Sequence, residues 1–208
     1  PHGGGAGRSG AQGSGLTGVP EGGASPGRRL GSAGPLIYGD PASAHALLEK
    51  TTAVMERYLA AQVRAGAQAI QIFDTWAGIL SEPDYREFAL RYVRPLTDAL
   101  RPLGVPLVYF AEDAAHLFAA IGESGADVIG VDWRTSLAEA SRLLDDRFVL
   151  QGNLDPCVLF APPEVVRERA RRAIDEGRRA PAHIFNLGHG ILPETPVENA
   201  RALVAAVR

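Results

Sequence analysis

The chain has 208 residues, 46% of them hydrophobic, with a formal charge of −3 and a pI near 6.0. That is enough apolar material for one sizeable core, without the basic excess that a general nucleic-acid surface needs. The single cysteine, Cys157, excludes an intrachain disulfide and a multi-cysteine metal site, and fits a reducing, cytoplasmic setting. No apolar run reaches the ~18–20 residues that span a bilayer, and no signal-peptide pattern is visible, so neither a membrane nor nucleic acid is an expected partner.

Two compositions meet near Leu36. Residues 1–35 are mainly Gly, Ser, Pro, Ala and Arg with hardly any large apolar side chains. Such a leader cannot offset its ordering entropy and is expected to be disordered or divergent. Residues 36–208 form the second unit. Leu47, Leu48, Val54, Met55, Tyr58 and Leu59 recur at helical spacing and predict a helix over 41–65. A strand over 67–73 follows, then a helix over 82–100 with Tyr85, Phe88, Ala89, Tyr92 and Leu96 on one side. Next come a strand over 105–110, a helix over 114–124, a strand over 128–131 and a helix over 137–144. A strand over 148–150, a helix over 163–176 and a strand over 182–186 lead to a closing helix over 197–207, opened by Pro196 in its first turn.

Apolar strands alternating with helices call for a parallel sheet with right-handed crossovers. No Gly-x-Gly-x-x-Gly turn follows the first strand, so the dinucleotide-binding signal is absent. Polar and glycine residues gather after nearly every strand, as at the catalytic rim of a (β/α)8 TIM barrel. That fold takes ~250 residues and about eight units. The expected fold is therefore α/β, the later five or so βα units of such a barrel behind a Gly-rich leader. Open barrel edges should recruit other chains.

His189 is the first candidate for chemistry. It follows the last strand in Phe185-Asn186-Leu187-Gly188-His189-Gly190, where the glycines allow close backbone approach. Imidazole can donate to a carboxylate or exchange protons near neutrality; the competing reading is a histidine that closes a turn. Asp74, Thr75 and Trp76 end the first strand and offer an acceptor, a hydroxyl and an aromatic wall, or a helix cap. Asp132 suits the orientation of a backbone turn better than ligand contact. In Gln151-Gly152-Asn153-Leu154-Asp155-Pro156, Asn and Asp can bond their own turn, while Gly152 can admit a bulky planar ligand. His45, His116, His183 and His189 form no His-x-x-x-His pair, and Cys157 has no partner at metal spacing, so no metal site is expected. Arg167, Arg169, Arg171, Arg172, Arg178 and Arg179 alternate with acidic residues, as on a solvated helix face.

In combination, several segments resemble the uroporphyrinogen decarboxylase family: Tyr38-Gly39-Asp40-Pro41, Phe73-Asp74-Thr75-Trp76-Ala77-Gly78, Gly130-Val131-Asp132-Trp133, Gln151-Gly152-Asn153-Leu154-Asp155-Pro156 and Asn186-Leu187-Gly188-His189-Gly190. The resemblance runs from about Leu36 to Arg208. It implies a (β/α)8 barrel, a homodimer at full length, and removal of carbon dioxide from the four acetate side chains of uroporphyrinogen III to give coproporphyrinogen III. This chemistry of porphyrin and heme biosynthesis uses no cofactor or metal. By the same resemblance His189 is the active-site histidine, catalytic and substrate-binding, and Thr75 and Phe73 are substrate-binding.

The family's Arg-x-x-x-Arg segment and its aspartate acceptor for the pyrrole nitrogens are missing, and Gly18 stands where a tyrosine precedes the Glu21-Gly22-Gly23 turn. The chain is accordingly expected to be a fragment, inactive as given. Two other readings stay open. One is a related corrinoid or thiol methyltransferase, disfavoured because Tyr109-Phe110-Ala111-Glu112-Asp113 lacks the His-x-Cys pair. The other is a non-catalytic tetrapyrrole-binding remnant.

Overall fold

The computed structural model describes residues 11–14 and 34–208. Its strands are β1 (Ala11–Ser14), β2 (Ile70–Phe73), β3 (Leu107–Phe110), β4 (Val128–Gly130), β5 (Val149–Leu154) and β6 (His183–Leu187). They lie side by side in chain order, and every pairing is parallel. From Pro41 onward the α-helices are α1 (Pro41–Arg64), α2 (Glu82–Tyr85), α3 (Arg91–Leu100), α4 (Phe118–Ile121), α5 (Leu137–Leu143), α6 (Pro163–Gly177) and α7 (Val197–Ala206).

Local chemistry sets the boundaries. Asp40 caps α1 by accepting from the Ser43 amide at 3.1 Å, and Pro41 occupies the first turn, where a missing N–H costs nothing. A five-residue π-helical segment, Arg86–Leu90, joins α2 to α3, so one continuous helical run buries Tyr85, Phe88, Tyr92, Leu96 and Leu100. Gly104, with φ +70°, ends it in a left-handed turn.

Strictly sequential strand order is the signature of a barrel wall; a doubly wound sheet reverses its order part-way. Same-hand crossovers then put all the helices on one face. On that face Ile70, Ile72, Leu107, Tyr109, Ile129 and Leu150 join Leu59, Leu96, Leu117, Ile121 and Leu137 in one core. The other face carries Gln71, Phe73, Phe110, Gln151 and Ile184, by the register of the pairs. Gln151 Nε2 donates to Gln71 Oε1 at 3.3 Å, although β2 and β5 are separated by β3 and β4. In a flat sheet those strands would be roughly 14 Å apart with parallel side chains. The contact requires a strongly curled sheet. The architecture is that of part of a (β/α)8 barrel, as expected.

Three elements differ from the sequence reading. β5 continues through Leu154 and does not stop at residue 150, because Gly152, at φ +144°, lets Gly152, Asn153 and Leu154 stay paired with Phe185, Asn186 and Leu187. The helix expected over 114–124 shrinks to a 3-10 turn, Ala115–Leu117, and α4, since Gly122 and Gly125 interrupt it. Within the leader, Ala11–Ser14 forms a strand on β2 despite its poor β propensity, because an open sheet edge offers backbone groups to any extended segment. The rest of the leader, including Gly18 and Glu21-Gly22-Gly23, lies outside the described residues. Pro196 caps α7 and stands just before its first turn.

Among the described residues β6 is an edge strand, and Ile184 is 44% exposed on it. We expect concentration-dependent self-association in sedimentation experiments, reduced by Ile184→Lys with stability changed by no more than about 0.5 kcal/mol. Unchanged association in that variant would place the sticky surface elsewhere.

Candidate active site

The C-terminal ends of the strands converge on one rim. Thr75 and Trp76 follow β2, Glu112 and Asp113 follow β3, Asp132, Trp133 and Arg134 follow β4, and Gly188 and His189 follow β6. Curling of the sheet brings the loops after β3 and β6 together, so that Glu112 Oε2 lies 3.8 Å from His189 Nε2.

Asp132 holds the rim together. Nearly buried, it accepts from the Asp113 amide at 2.6 Å, from the Arg134 amide at 3.0 Å and from Arg134 Nη1 at 2.8 Å. The same guanidinium nitrogen donates to Glu112 Oε1 at 3.0 Å, and the guanidinium lies 4.2 Å from the Trp133 ring centroid. This agrees with Asp132 as an organiser of turns. Arg134 and Glu112 were not singled out in the sequence. The available signal was position, since each is a charged residue just past a strand end. Asn153 Nδ2 donates to the carbonyls of Asp132 and Thr135 at 2.9 and 2.6 Å, and Asp155 accepts from the Cys157 amide at 2.8 Å. Both are structural here. A Cβ on Gly152 would collide with the Val131 carbonyl, so this glycine serves backbone packing. Gly188 has the same role, since a Cβ there would sit 2.6 Å from the Trp133 amide nitrogen.

Phe73 and His189 lie at one mouth, joined through Phe110, and Thr75 follows β2 on the same rim. The Phe73 ring meets Phe110 edge-on at 5.8 Å, and Phe110 lies 6.5 Å from the His189 ring, which also meets Trp133 edge-on at 6.4 Å. His189 is 40% exposed. Thr75 is half-buried; its carbonyl accepts from the Glu112 amide at 3.3 Å, while its hydroxyl has no hydrogen-bond partner among the described residues. Asp74 turns away from this mouth into the core, where Tyr109 donates to it at 2.9 Å.

The remaining described histidines have structural partners. His183 Nε2 lies 2.8 Å from the Gly152 carbonyl, His116 Nε2 lies 2.9 Å from the Leu80 carbonyl, and His45 Nδ1 lies 2.6 Å from the Tyr92 hydroxyl. Among the described residues no three His, Cys, Asp or Glu side chains gather into a metal-binding group, and no helix is long and apolar enough to cross a membrane.

Residues 18–208 match the family described as uroporphyrinogen decarboxylase (URO-D). The chain belongs to the uroporphyrinogen decarboxylase family. It is 47% identical over 172 residues to a uroporphyrinogen decarboxylase of Salinispora tropica, covering 83% of this chain and 46% of that protein. It is 48% identical over 173 residues to one from Pelobacter propionicus, covering 83% of this chain and 51% of that protein. The chain thus spans about half the length of the curated relatives it matches. Among solved structures, a methyltransferase from Methanosarcina mazei superposes with a TM-score of 0.68 at 24% identity, over 77% of this chain and 48% of that one. That likeness shows the shared fold. The family match begins inside the Gly-rich leader, ahead of Leu36.

Arg134 is the counter-charge of the buried Asp132. Arg134→Leu should cost about 1–3 kcal/mol in denaturant unfolding, and Glu112→Gln less, since Gln keeps an oxygen that can accept from the guanidinium. Equal stability of Arg134→Leu and wild type would mean that the backbone amides alone satisfy Asp132.

Proposed function

We propose that this chain carries the part of a uroporphyrinogen decarboxylase rim that presents His189, Thr75 and Phe73 to a tetrapyrrole. The observation that carries the reading is the mouth itself. In a chain of this family, an exposed imidazole stands beside the edge-on aromatic pair of Phe73 and Phe110, and Thr75, whose hydroxyl has no partner among the described residues, follows β2 on the same rim. The reaction is removal of carbon dioxide from the acetate side chains of uroporphyrinogen III to give coproporphyrinogen III.

The chemistry suits such a mouth. Protonating a pyrrole carbon makes the ring an electron sink, and the electrons of the breaking C–C bond flow into it as carbon dioxide leaves. The substrate supplies its own sink, so the protein needs only to position groups, donate protons and balance carboxylates. His189 would donate a proton or a hydrogen bond to substrate, Thr75 would hydrogen-bond a carboxylate, and Phe73 would wall the macrocycle. The carboxylate-binding arginines and the acceptor for the pyrrole nitrogens are not among these residues. Full turnover therefore requires groups beyond the 208 residues, and the chain alone is expected to be inactive. We further propose that residues 36–208 carry the later barrel units, with Ala11–Ser14 of the leader adding a strand at their edge, and that the complete protein is a cytoplasmic homodimer.

Joining residues 36–208 to the N-terminal half of the Salinispora tropica relative provides a test. The fusion should decarboxylate uroporphyrinogen. His189→Ala should lower turnover by ~10²–10⁴ or let partly decarboxylated intermediates accumulate, with the fold intact. Wild-type kinetics in that variant would return His189 to a structural role. Thr75→Ser should keep most of the activity, whereas Thr75→Val removes a hydrogen bond of about 1–3 kcal/mol to the bound substrate. Equal rates in the two would show that the hydroxyl does nothing at the site.

A further inference from the structure

Behind the rim lies a file of buried polar groups that the proposed chemistry does not use. Tyr85 ends α2, immediately before the π-helical segment, and its hydroxyl donates to the Tyr109 hydroxyl at 3.2 Å. Tyr109, on β3, donates in turn to Asp74 Oδ2 at 2.9 Å, and all three residues are fully buried. Burial, then the Asp74 charge, hold Tyr109 well above the ordinary phenol range, and burial pushes Tyr85 up likewise. Both phenols keep their protons, so the file runs in one direction, from the helix layer through the sheet to the carboxylate.

Asp74 begins the turn that displays Thr75. Its amide donates to the Phe110 carbonyl at 2.8 Å, and its carbonyl accepts from the Ala77 amide at 2.9 Å. The turn continues with the Leu80 amide donating to the Ala77 carbonyl at 3.0 Å, while Gly78 packs where a Cβ would lie 2.6 Å from the Asp113 carbonyl. An apolar residue at position 74 could fill the same space without fixing an orientation. A buried carboxylate that accepts from a phenol fixes both distance and direction, and it strongly penalises any shift that breaks the bond.

We propose that Tyr109, backed by Tyr85, is a positioning residue for Thr75, acting through Asp74 to hold the 74–80 turn against the rim. The inference rests on the reading that Thr75 faces the substrate. Its structural part can be tested in the 208-residue chain without any turnover, by amide hydrogen exchange read by mass spectrometry. Tyr109→Phe removes one hydroxyl and should speed exchange in peptides covering 74–80 by ~10-fold, with exchange in β4 and β5 unchanged. Tyr85→Phe should give a smaller change in the same peptides. Leu117→Ala, a cavity in the same core, should instead speed exchange in the turn and in both strands together. Uniform acceleration in Tyr109→Phe, or none at 74–80, would overturn the proposal; so would the same selective pattern in Leu117→Ala.

The functional part is read in the fusion described above. Tyr109→Phe should raise KM with little change in kcat, as Thr75→Val does, and should cause no further loss in a Thr75→Val background. Additive losses would overturn action through Thr75. An unmutated fusion without turnover would count against the decarboxylase reading, and the exchange pattern alone would then decide whether the tyrosines hold the turn.

Discussion

The curl of the parallel sheet is the constraint on which everything else here depends. With the helices all on one face, the apolar side chains of that face pack outward into a single core, and the other face closes on itself. The Gln71–Gln151 contact, made between strands that have two others between them, measures that closure directly. The same curvature carries the loop after β6 toward the loop after β3, and so sets His189 beside Phe110 and Glu112. A flatter sheet with the same sequence at each strand end would leave these groups too far apart to share a ligand.

Charge at the rim is arranged around Arg134. One guanidinium serves two carboxylates, Asp132 beneath it and Glu112 beside it, and is stacked on Trp133. Its fork geometry and aromatic contact suit arginine and would be lost in lysine. Glu112 is thereby held near His189 without standing as an unbalanced negative charge at the rim. Asp132 ties the β3 and β4 loops through backbone amides, so the electrostatic arrangement and the loop geometry are the same set of bonds.

Much of this was legible in the sequence. Helical spacing in residues 41–65 and 82–100 revealed the long helices, and the polar clusters after each apolar run revealed the rim. Asp132 read correctly as an organiser of turns. Gly152 did not, since a glycine followed by Asn and Asp-Pro looks like a turn, and only the partner strand shows that the backbone stays extended with Val131 pressed against it. Ala11–Ser14 was illegible because its pairing is decided by the open edge of β2 and not by its own side chains. Tyr85 and Tyr109 read as apolar positions on a helix and a strand. Their hydroxyls meet only because two elements with no local relation pack together. Arg134 was hidden for a similar reason, its second carboxylate being supplied from another strand.

The central claim is that Phe73, Thr75 and His189 line one tetrapyrrole-binding mouth. The most direct measurement is an NMR titration of the chain with uroporphyrin, the oxidised and unreactive form of the proposed substrate. Ring-current shifts fall off within a few ångströms, so they report contact. The structure calls for shifts at the His189 ring, the Thr75 methyl and the Phe73 ring, with none at His45 on α1. Shifts confined to the helical side, or no shift at any of the three mouth residues, would contradict it.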